Sequence, residues 1–455
     1  MPSKHLKKLL EAVGDLKLNC DYWDVRIEDT VDTAITMTQG EVVNCATSPS
    51  LGAFIRVRRN GFWYFEATTE LNQIKNTLQR LAQSPLRTTE TSRFVVQKQT
   101  PFYEIQHDDQ AMHLVSIDDK IKLLEKYEAL ARQQPFVVNS TFRYKDTYKI
   151  KAFLNSVGTQ YEYDFNQAGI NGRFTVKQEQ NIFSDALHLY ATDFKKLLGQ
   201  ENKIKAYIAE STEFLNAPTI EPGKYRVLLS PEVAGVFTHE SFGHKSEADF
   251  MLGNDDALKE WSLGKKIASD CLSIVDYGGH RSTSGYCPID DEGTPSQKNY
   301  LIKNGVLTGR LHSLETAFQL NEKPTGNARA LNFEWEPMVR MTSTYIEPGS
   351  KSLEQILKNA EGALFVDGVK HGSGLSTFTI APSRGYRILK NGEKERVRIT
   401  VISGSVFETL KNIEDVSADF SLENNAIGGC GKMEQGPLPV SDGGPFVLIK
   451  EMQVS

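Results

Sequence analysis

The sequence predicts an α+β protein: N-terminal α/β sections with antiparallel strands, followed by a β-rich barrel- or sandwich-like C-terminal domain that carries an HExxxH helix. Three observations predict this. Up to about residue 216, runs with apolar residues at every second position alternate with segments of helical apolar spacing. Beyond residue 270 the chain is mostly short strand-like runs between turn signals. Between these regions, Tyr225–Leu229 reads as a strand that feeds directly into a helix pattern opening at Ser230.

In order, Leu6, Leu9, Leu10 and Val13 form one helical stripe. Residues 22–68 read as β: Val25 and Ile27, then Thr33, Ile35 and Met37, alternate with polar neighbours, and Ala53, Ile55 and Val57 oppose Arg56 and Arg58. Asn60-Gly61 is a hairpin signal. Leu71, Ile74, Leu78 and Leu81 predict a helix over about 70–83, and the polar segment 84–112 reads as a linker or extended crossing. Ser116 caps a helix over about 117–133, strands follow at 136–154, 159–165 and 171–178, and another helix pattern covers about 191–214. Further on, Lys303-Asn304-Gly305 and Lys390-Asn391-Gly392 are hairpin signals, and short helices are expected near 313–320 and 352–360.

A chain of 455 residues is too long for one ordinary core, and the pattern divides it into units at 1–84, 113–216 and 222–455. Apolar content of 39% with 24% charged residues is that of a globular protein. A net charge of −6 gives no electrostatic case for direct nucleic-acid binding. The opening residues lack the apolar core and cleavage site of a signal peptide, and no run approaches the ~18 apolar residues of a membrane span. Five scattered cysteines, Cys20, Cys45, Cys271, Cys287 and Cys430, argue against a disulfide framework and for a reducing compartment, by default the cytoplasm. The first four read as core or strand residues.

The chemistry concentrates in Ser230–Asp249. Ser230 suits an N-cap, Pro231 the first helical position and Glu232 the positive end of the helix dipole. Val233, Val236 and Phe237 carry the helix into His239-Glu240-Ser241-Phe242-Gly243-His244. Imidazoles supply neutral nitrogen ligands, and Glu240 can serve as base for a metal-activated water. In the familiar HExxH arrangement the histidines sit at i and i+4 on one helix face. Here they sit at i and i+5, about 140° apart on an ideal helix. They can share an ion only if the helix bulges, kinks or ends between them, and Gly243 is where that costs least. The competing reading is a capping or surface histidine pair on an ordinary helix.

A catalytic zinc site usually has three protein ligands. Candidates for the third are Glu247, Asp249, Asp276, His280, His312, His371 and Cys430. Cys430 stands out within Ile427-Gly428-Gly429-Cys430-Gly431-Lys432, where glycines allow close approach and Lys432 would favour the thiolate. A small buried residue in a glycine-rich turn explains it equally well. Asp290-Asp291-Glu292-Gly293 could bind a substrate amine or a cation, or be a solvated loop. Gly326-Asn327-Ala328-Arg329 could present donors to a carbonyl or carboxylate, or be a turn. No mechanism singles out His371-Gly372-Ser373-Gly374.

The ordered set of motifs resembles the TldD/PmbA family, also called modulators of DNA gyrase, and more closely its TldD-type metallopeptidase branch. It rests on Gly40-Glu41-Val42, Leu51–Val57 and Asn60-Gly61 early in the chain. Later it rests on HESFGH (239–244), DDEGTP (290–295), LIKNGVLTG (301–309), TGNAR (325–329), RMTSTYIEPG (340–349) and GGCGK (428–432). The resemblance implies a cytoplasmic zinc peptidase acting on small or unfolded polypeptides. Under it, His239, His244 and Cys430 match the metal ligands and Glu240 the catalytic acid/base, with one Zn2+ per chain. Asp290, Asp291, Asn327 and Arg329 become substrate-binding candidates. Ala330 and Ser343 depart from the family pattern, where Arg and Asn are expected. The resemblance also implies a dimer, with a TldE/PmbA-like subunit or with itself. The alternative is a non-catalytic regulatory protein acting on gyrase or toxin–antitoxin components.

Overall fold

The computed structural model describes residues 4–85, 94–107, 109–374, 376–390 and 392–455. The alternating segment 22–68 forms three antiparallel strands, β1 (Tyr22–Thr38), β2 (Glu41–Arg59) and β3 (Phe62–Thr68), between helices α1 (Lys4–Val13) and α2 (Ile74–Leu81). Asn60 and Gly61 turn at φ +47° and +84°, the left-handed pair a two-residue hairpin needs. Part of the expected linker, residues 86–93 and 108, lies outside the described residues, while Phe102–Glu104 is strand β4. Helix α3 (Ile117–Arg132) starts at Ser116, whose hydroxyl accepts from Asp119 N at 3.1 Å.

Next come β5 (Val137–Asn155), β6 (Gln160–Gln178), β7 (Asn181–Ala191) and α4 (Glu201–Glu213). Two expectations change here. Residues 159–165 and 171–178 belong to one strand, because Gly169 and Gly172 continue it where neighbours leave no room: a Cβ on Gly172 would meet the Phe142 ring at 2.5 Å. The helix pattern of 191–214 begins only at Glu201, since 181–191 is spent pairing with β6. All these strands share one sheet, in the order β3-β2-β1-β5-β6-β4 with β7 also on β6. On β1, Val25, Ile27, Ile35 and Met37 are buried on the helix-covered face. Asp24, Arg26 and Glu28, on the other face, are buried too.

The C-terminal part runs β8 (Gly223–Leu229), α5 (Pro231–Thr238), α6 (Asp255–Glu260), β9 (Ile274–Asp276), β10 (Asn299–Lys303), β11 (Val306–Leu307) and α7 (Leu314–Leu320). It continues through β12 (Ala328–Arg329), β13 (Met338–Val339), β14 (Ser343–Ile346), α8 (Leu353–Asn359), β15 (Leu364–Gly374), β16 (Thr377–Ile388) and β17 (Lys394–Val397). It ends with β18 (Ile402–Ser405), α9 (Val406–Lys411), β19 (Ile413–Asn424), β20 (Cys430–Lys432), β21 (Gln435–Leu438) and β22 (Ser441–Val454). Strand β22 is the hub. Its pairings with β18 and β8, together with β18-β16-β15-β8, close a five-stranded ring, so the β-rich region is a barrel. The turn at Asn304-Gly305 joins β10 to β11. Asn391 lies outside the described residues, and β16 pairs with β17 across it. Ser313 and Ser352 cap α7 and α8 with capping boxes.

No helix among the described residues is long and apolar enough to cross a membrane. The five cysteines are free; of the four read as core or strand residues, Cys287 is buried, Cys20 packs partly buried against the first core and Cys45 lies on strand β2, while Cys271 is exposed outside any strand.

Candidate metal centre

The centre is built on the exit from β8. Ser230 N donates to the Val366 carbonyl of β15, and the Ser230 hydroxyl accepts from Val233 N at 3.4 Å, so α5 starts where the barrel strand ends. Val233, Ala234 and Phe237 have no exposed surface, which places α5 in the interior. At His239 the α-helix gives way to a π-turn, His239–Gly243, followed by a 3₁₀ turn, His244–Ser246. His244 N donates to the His239 carbonyl. That i→i+5 bond brings residues five apart onto one side, which an α-helix cannot do. The imidazole centroids are 5.1 Å apart.

Gly243 makes the turn possible by close approach: a Cβ there would meet Met341 Sδ at 2.1 Å. Strand β15 passes the same turn, and a Cβ on Gly372 or Gly374 would meet Glu240 Cγ at 3.4 Å or the Glu240 carbonyl oxygen at 2.9 Å. This explains the glycines of 371–374, whose spacing alone carried no mechanism.

Cys430 arrives from β20. Its Sγ lies 3.5 Å from His244 Nε2, and one donor atom each from His239, His244 and Cys430 lie within 4.8 Å of one another. Buried Arg340 holds the strand, donating to the carbonyls of Cys430 at 2.6 Å and Gln435 at 3.1 Å. Sequence reasoning missed Arg340; its signal was an arginine inside an otherwise apolar or hydroxylated run. Burial alone would raise the Cys430 thiol, but hydrogen bonds from His239 and His244 outweigh it and bring it down to about 5. Burial pulls His244 down, yet the Cys430 and Glu247 hydrogen bonds carry it up to about 10. A thiolate held by two imidazoles is thus the favoured form, and the imidazoles, not Lys432, produce it. The Lys432 ammonium is engaged by Glu247 and Asp249.

The donor set fits zinc. A thiolate and two imidazoles are borderline-soft ligands of the kind that ion takes, and His239 Nδ1 is buried without a hydrogen-bond partner among the described residues. Glu240 is half-buried beside this set. Glu240, His239 and Cys430 line a cavity of about 1060 Å³. Its walls include Arg143, Asn171, Arg173 and His188 from the first sheet, and Glu232, Glu423 and Asp442 from the barrel side.

The other candidates go elsewhere. Asp276 accepts from Asn327, Thr342 and Thr344, His280 lies 3.3 Å from the Tyr345 hydroxyl, and His312 pairs with Glu322. The four substrate-binding candidates do not line the cavity. Asp290 accepts from the backbone of Thr294 and Ala328, and Asp291 pairs with Lys151 at 2.7 Å and accepts from Ala330 N. Asn327 bonds Asp276 and the Arg340 carbonyl, and Arg329 bonds the carbonyls of Met341 and Pro439. Asp291 thus joins the first sheet to the C-terminal part, while the bonds of Asp290, Asn327 and Arg329 tie the C-terminal part to itself.

Family models cover most of the chain: PmbA/TldA metallopeptidase domain 1 at residues 23–84, the central domain at 113–206 and the C-terminal domain at 222–455. The chain belongs to the TldD/PmbA metallopeptidase family. A metalloprotease of Synechocystis is 31% identical over 98% of this chain and 97% of its own length. A zinc metalloprotease TldD homolog of Saccharolobus solfataricus is 27% identical over 99% of each. Among solved structures, a candidate modulator of a DNA gyrase from Thermotoga maritima superposes with a TM-score of 0.78 at 22% identity, covering 95% of this chain and 96% of that one. TldE from Thermococcus kodakarensis gives 0.76 at 17% identity, covering 96% and 97%. These two establish a shared fold. With TldD/PmbA membership, the chain is a metallopeptidase, a hydrolase acting on peptide bonds.

Proposed function

We propose that this TldD-type chain hydrolyses small or unfolded polypeptides with one zinc ion held by His239, His244 and Cys430, and with Glu240 as general base and acid. The observation that carries this reading is the π-turn, which brings two histidines five residues apart to a thiol 186 positions further along the chain. Bound zinc supplies a Lewis acid for the scissile carbonyl and for the attacking water. Glu240, on the same turn, takes the proton of that water and returns it to the leaving amine. Strand β15 extends beyond its pairing with β8, which ends at Val366, and Val369 and Lys370 in this extension line the cavity. An extended peptide lying along this cavity would be held by its main chain, which suits many sequences.

The test is Glu240→Gln, incubated with an unfolded polypeptide. Cleavage is expected to fall about 10²- to 10⁴-fold while about one zinc per chain is retained. Retained cleavage overturns the assignment of Glu240. Cys430→Ala is expected to lose the zinc. A chain that binds zinc yet cleaves no peptide would instead favour the regulatory reading, action on gyrase or toxin–antitoxin components by binding alone.

The similarity to TldE motivates a dimer, with a TldE/PmbA-like subunit or with a second copy, which light scattering with and without the co-expressed subunit distinguishes. Five free cysteines suit a reducing compartment, and we place the protein in the cytoplasm.

A further inference from the structure

The residues behind the triad carry a further inference, which rests on the metal-centre reading above. Glu247 has no exposed surface, and a buried carboxylate is costly unless its charge is matched. Its Oε2 lies 3.3 Å from His244 Nδ1 and 3.1 Å from Lys432 Nζ. Lys432, 5% exposed, also donates to Asp249 at 2.7 and 2.8 Å and to the Val339 carbonyl at 2.9 Å. The other nitrogen of the same ring, His244 Nε2, faces Cys430 Sγ. Carboxylate and thiol therefore address opposite edges of one imidazole.

An ionised carboxylate only accepts, so the nitrogen facing it must carry the proton. In a neutral ring that leaves Nε2 free to act as a ligand. The same short strand supplies both sides of the arrangement. Cys430 and Lys432 are buried while Gly431 between them is exposed, so β20 sends the thiol to one edge of the ring and the ammonium behind the carboxylate at the other. We propose that Glu247 is a positioning residue of the metal centre and that Lys432 fixes Glu247, so that His244 keeps its proton on Nδ1, and Nε2, which faces Cys430, is the nitrogen that gives up its proton when an ion binds. A hydrogen bond from a ligating histidine to a carboxylate holds the ring's tautomer and orientation and raises its basicity. The carboxylate oxygen nearest the ring is the one Lys432 holds, which couples the two roles.

Zinc affinity of the full chain, measured by competition with a chromogenic chelator, tests this together with the absorption spectrum of the cobalt(II)-substituted protein. Glu247→Gln is expected to weaken zinc binding about 10- to 100-fold. Its cobalt ligand-field bands are expected to shift while the thiolate-to-cobalt charge-transfer band persists, showing Cys430 still bound. Glu247→Asp keeps the charge beside Lys432 but draws the carboxylate away from the ring; the same loss is expected, and this variant serves if the Gln variant does not fold. A folded variant with the parent's zinc affinity and cobalt spectrum overturns the inference. A parent chain that binds no zinc overturns the metal-centre reading instead.

Discussion

Glu232 sits in the first turn of α5 and lines the cavity, where its Oε1 accepts from Val369 N at 3.1 Å. Burial, then the facing Glu423 and Asp367, push its carboxyl up to about 8, with Asp442 adding in the same direction. The folded-state pKa then lies above the unfolded value of 4.5, so between these two values the native chain binds more protons than the unfolded chain. Stability from this group is complete below pH 4.5 and declines as pH rises toward about 8. Glu232→Gln removes the decline. Relative to the parent, the variant is expected to gain on the order of 3–4 kcal/mol between pH 5 and pH 9, read from urea unfolding at each pH. A difference between the two proteins that stays constant across that range would contradict the buried, like-charged environment. At the same scale, Cys430 shows how far one side chain was legible. Three nearby glycines marked it, yet the turn reading stood equally well, because a thiol's partners lie far away in the chain.

At the scale of the element, the π-turn is where local sequence and packing meet. The i, i+5 spacing of His239 and His244 demanded an irregular helix, and Gly243 was the residue that could permit it. The structure supplies the reason in Met341, fully buried and pressed against the Gly243 Cα. Gly243→Ala is expected to cost about 1–3 kcal/mol by overpacking, visible in the urea midpoint, and to weaken zinc binding by forcing the turn apart. Adding Met341→Ala makes room, so the double variant is expected to regain zinc affinity even though its core is less well filled. If Gly243→Ala binds zinc as the parent does, the turn is less constrained than its contacts imply. The same helix meets β22 at Gly235, where a Cβ would lie 2.3 Å from Gly443 N. Backbone cannot yield as a methionine can, so Gly235→Ala is expected to destabilise more than Gly243→Ala in the same assay.

Over the whole molecule, the two halves are joined by buried charge. Arg56 bridges Asp24 at 2.6 Å and Glu292 at 2.9 Å, and Asp291 receives Lys151 at 2.7 Å and Arg26 at 3.5 Å. Burial alone would raise Asp291, but Lys151 and Arg26 hold it well below the usual carboxylate range. Arg384 of β16 makes a second junction, reaching Asp185 on β7 and lying 3.8 Å over the Tyr207 ring of α4. Asp291→Asn leaves Lys151 and Arg26 under-compensated, and about 3–5 kcal/mol of destabilisation is expected in urea unfolding. Adding Lys151→Met is expected to recover part of that loss. A cost for Asp291→Asn below about 1 kcal/mol would show that water reaches the junction. Because the first sheet forms one wall of the cavity, this junction also sets where Arg143, Arg173 and His188 stand relative to the triad.

Sequence by itself determined what acts over a few residues. Serine caps at 116, 230, 313 and 352, the Asn-Gly turns, the alternation of β1 and β2, and the need for a break within 239–244 all follow from local sterics and hydrogen bonding. Alternation says which residues share a face but not what covers it. Asp24, Arg26 and Arg56 stand on the polar face of that alternation, and Asp290 and Asp291 read as a binding site or a solvated loop, yet all five are buried. Only the tertiary structure decided that. It also decided which of seven candidates joins the histidines, since the encounter of Cys430 with His244 depends on barrel closure and on Arg340 gripping the strand from afar. Local propensities carry no information about such contacts, whose free energy exists only once the chain has folded around them.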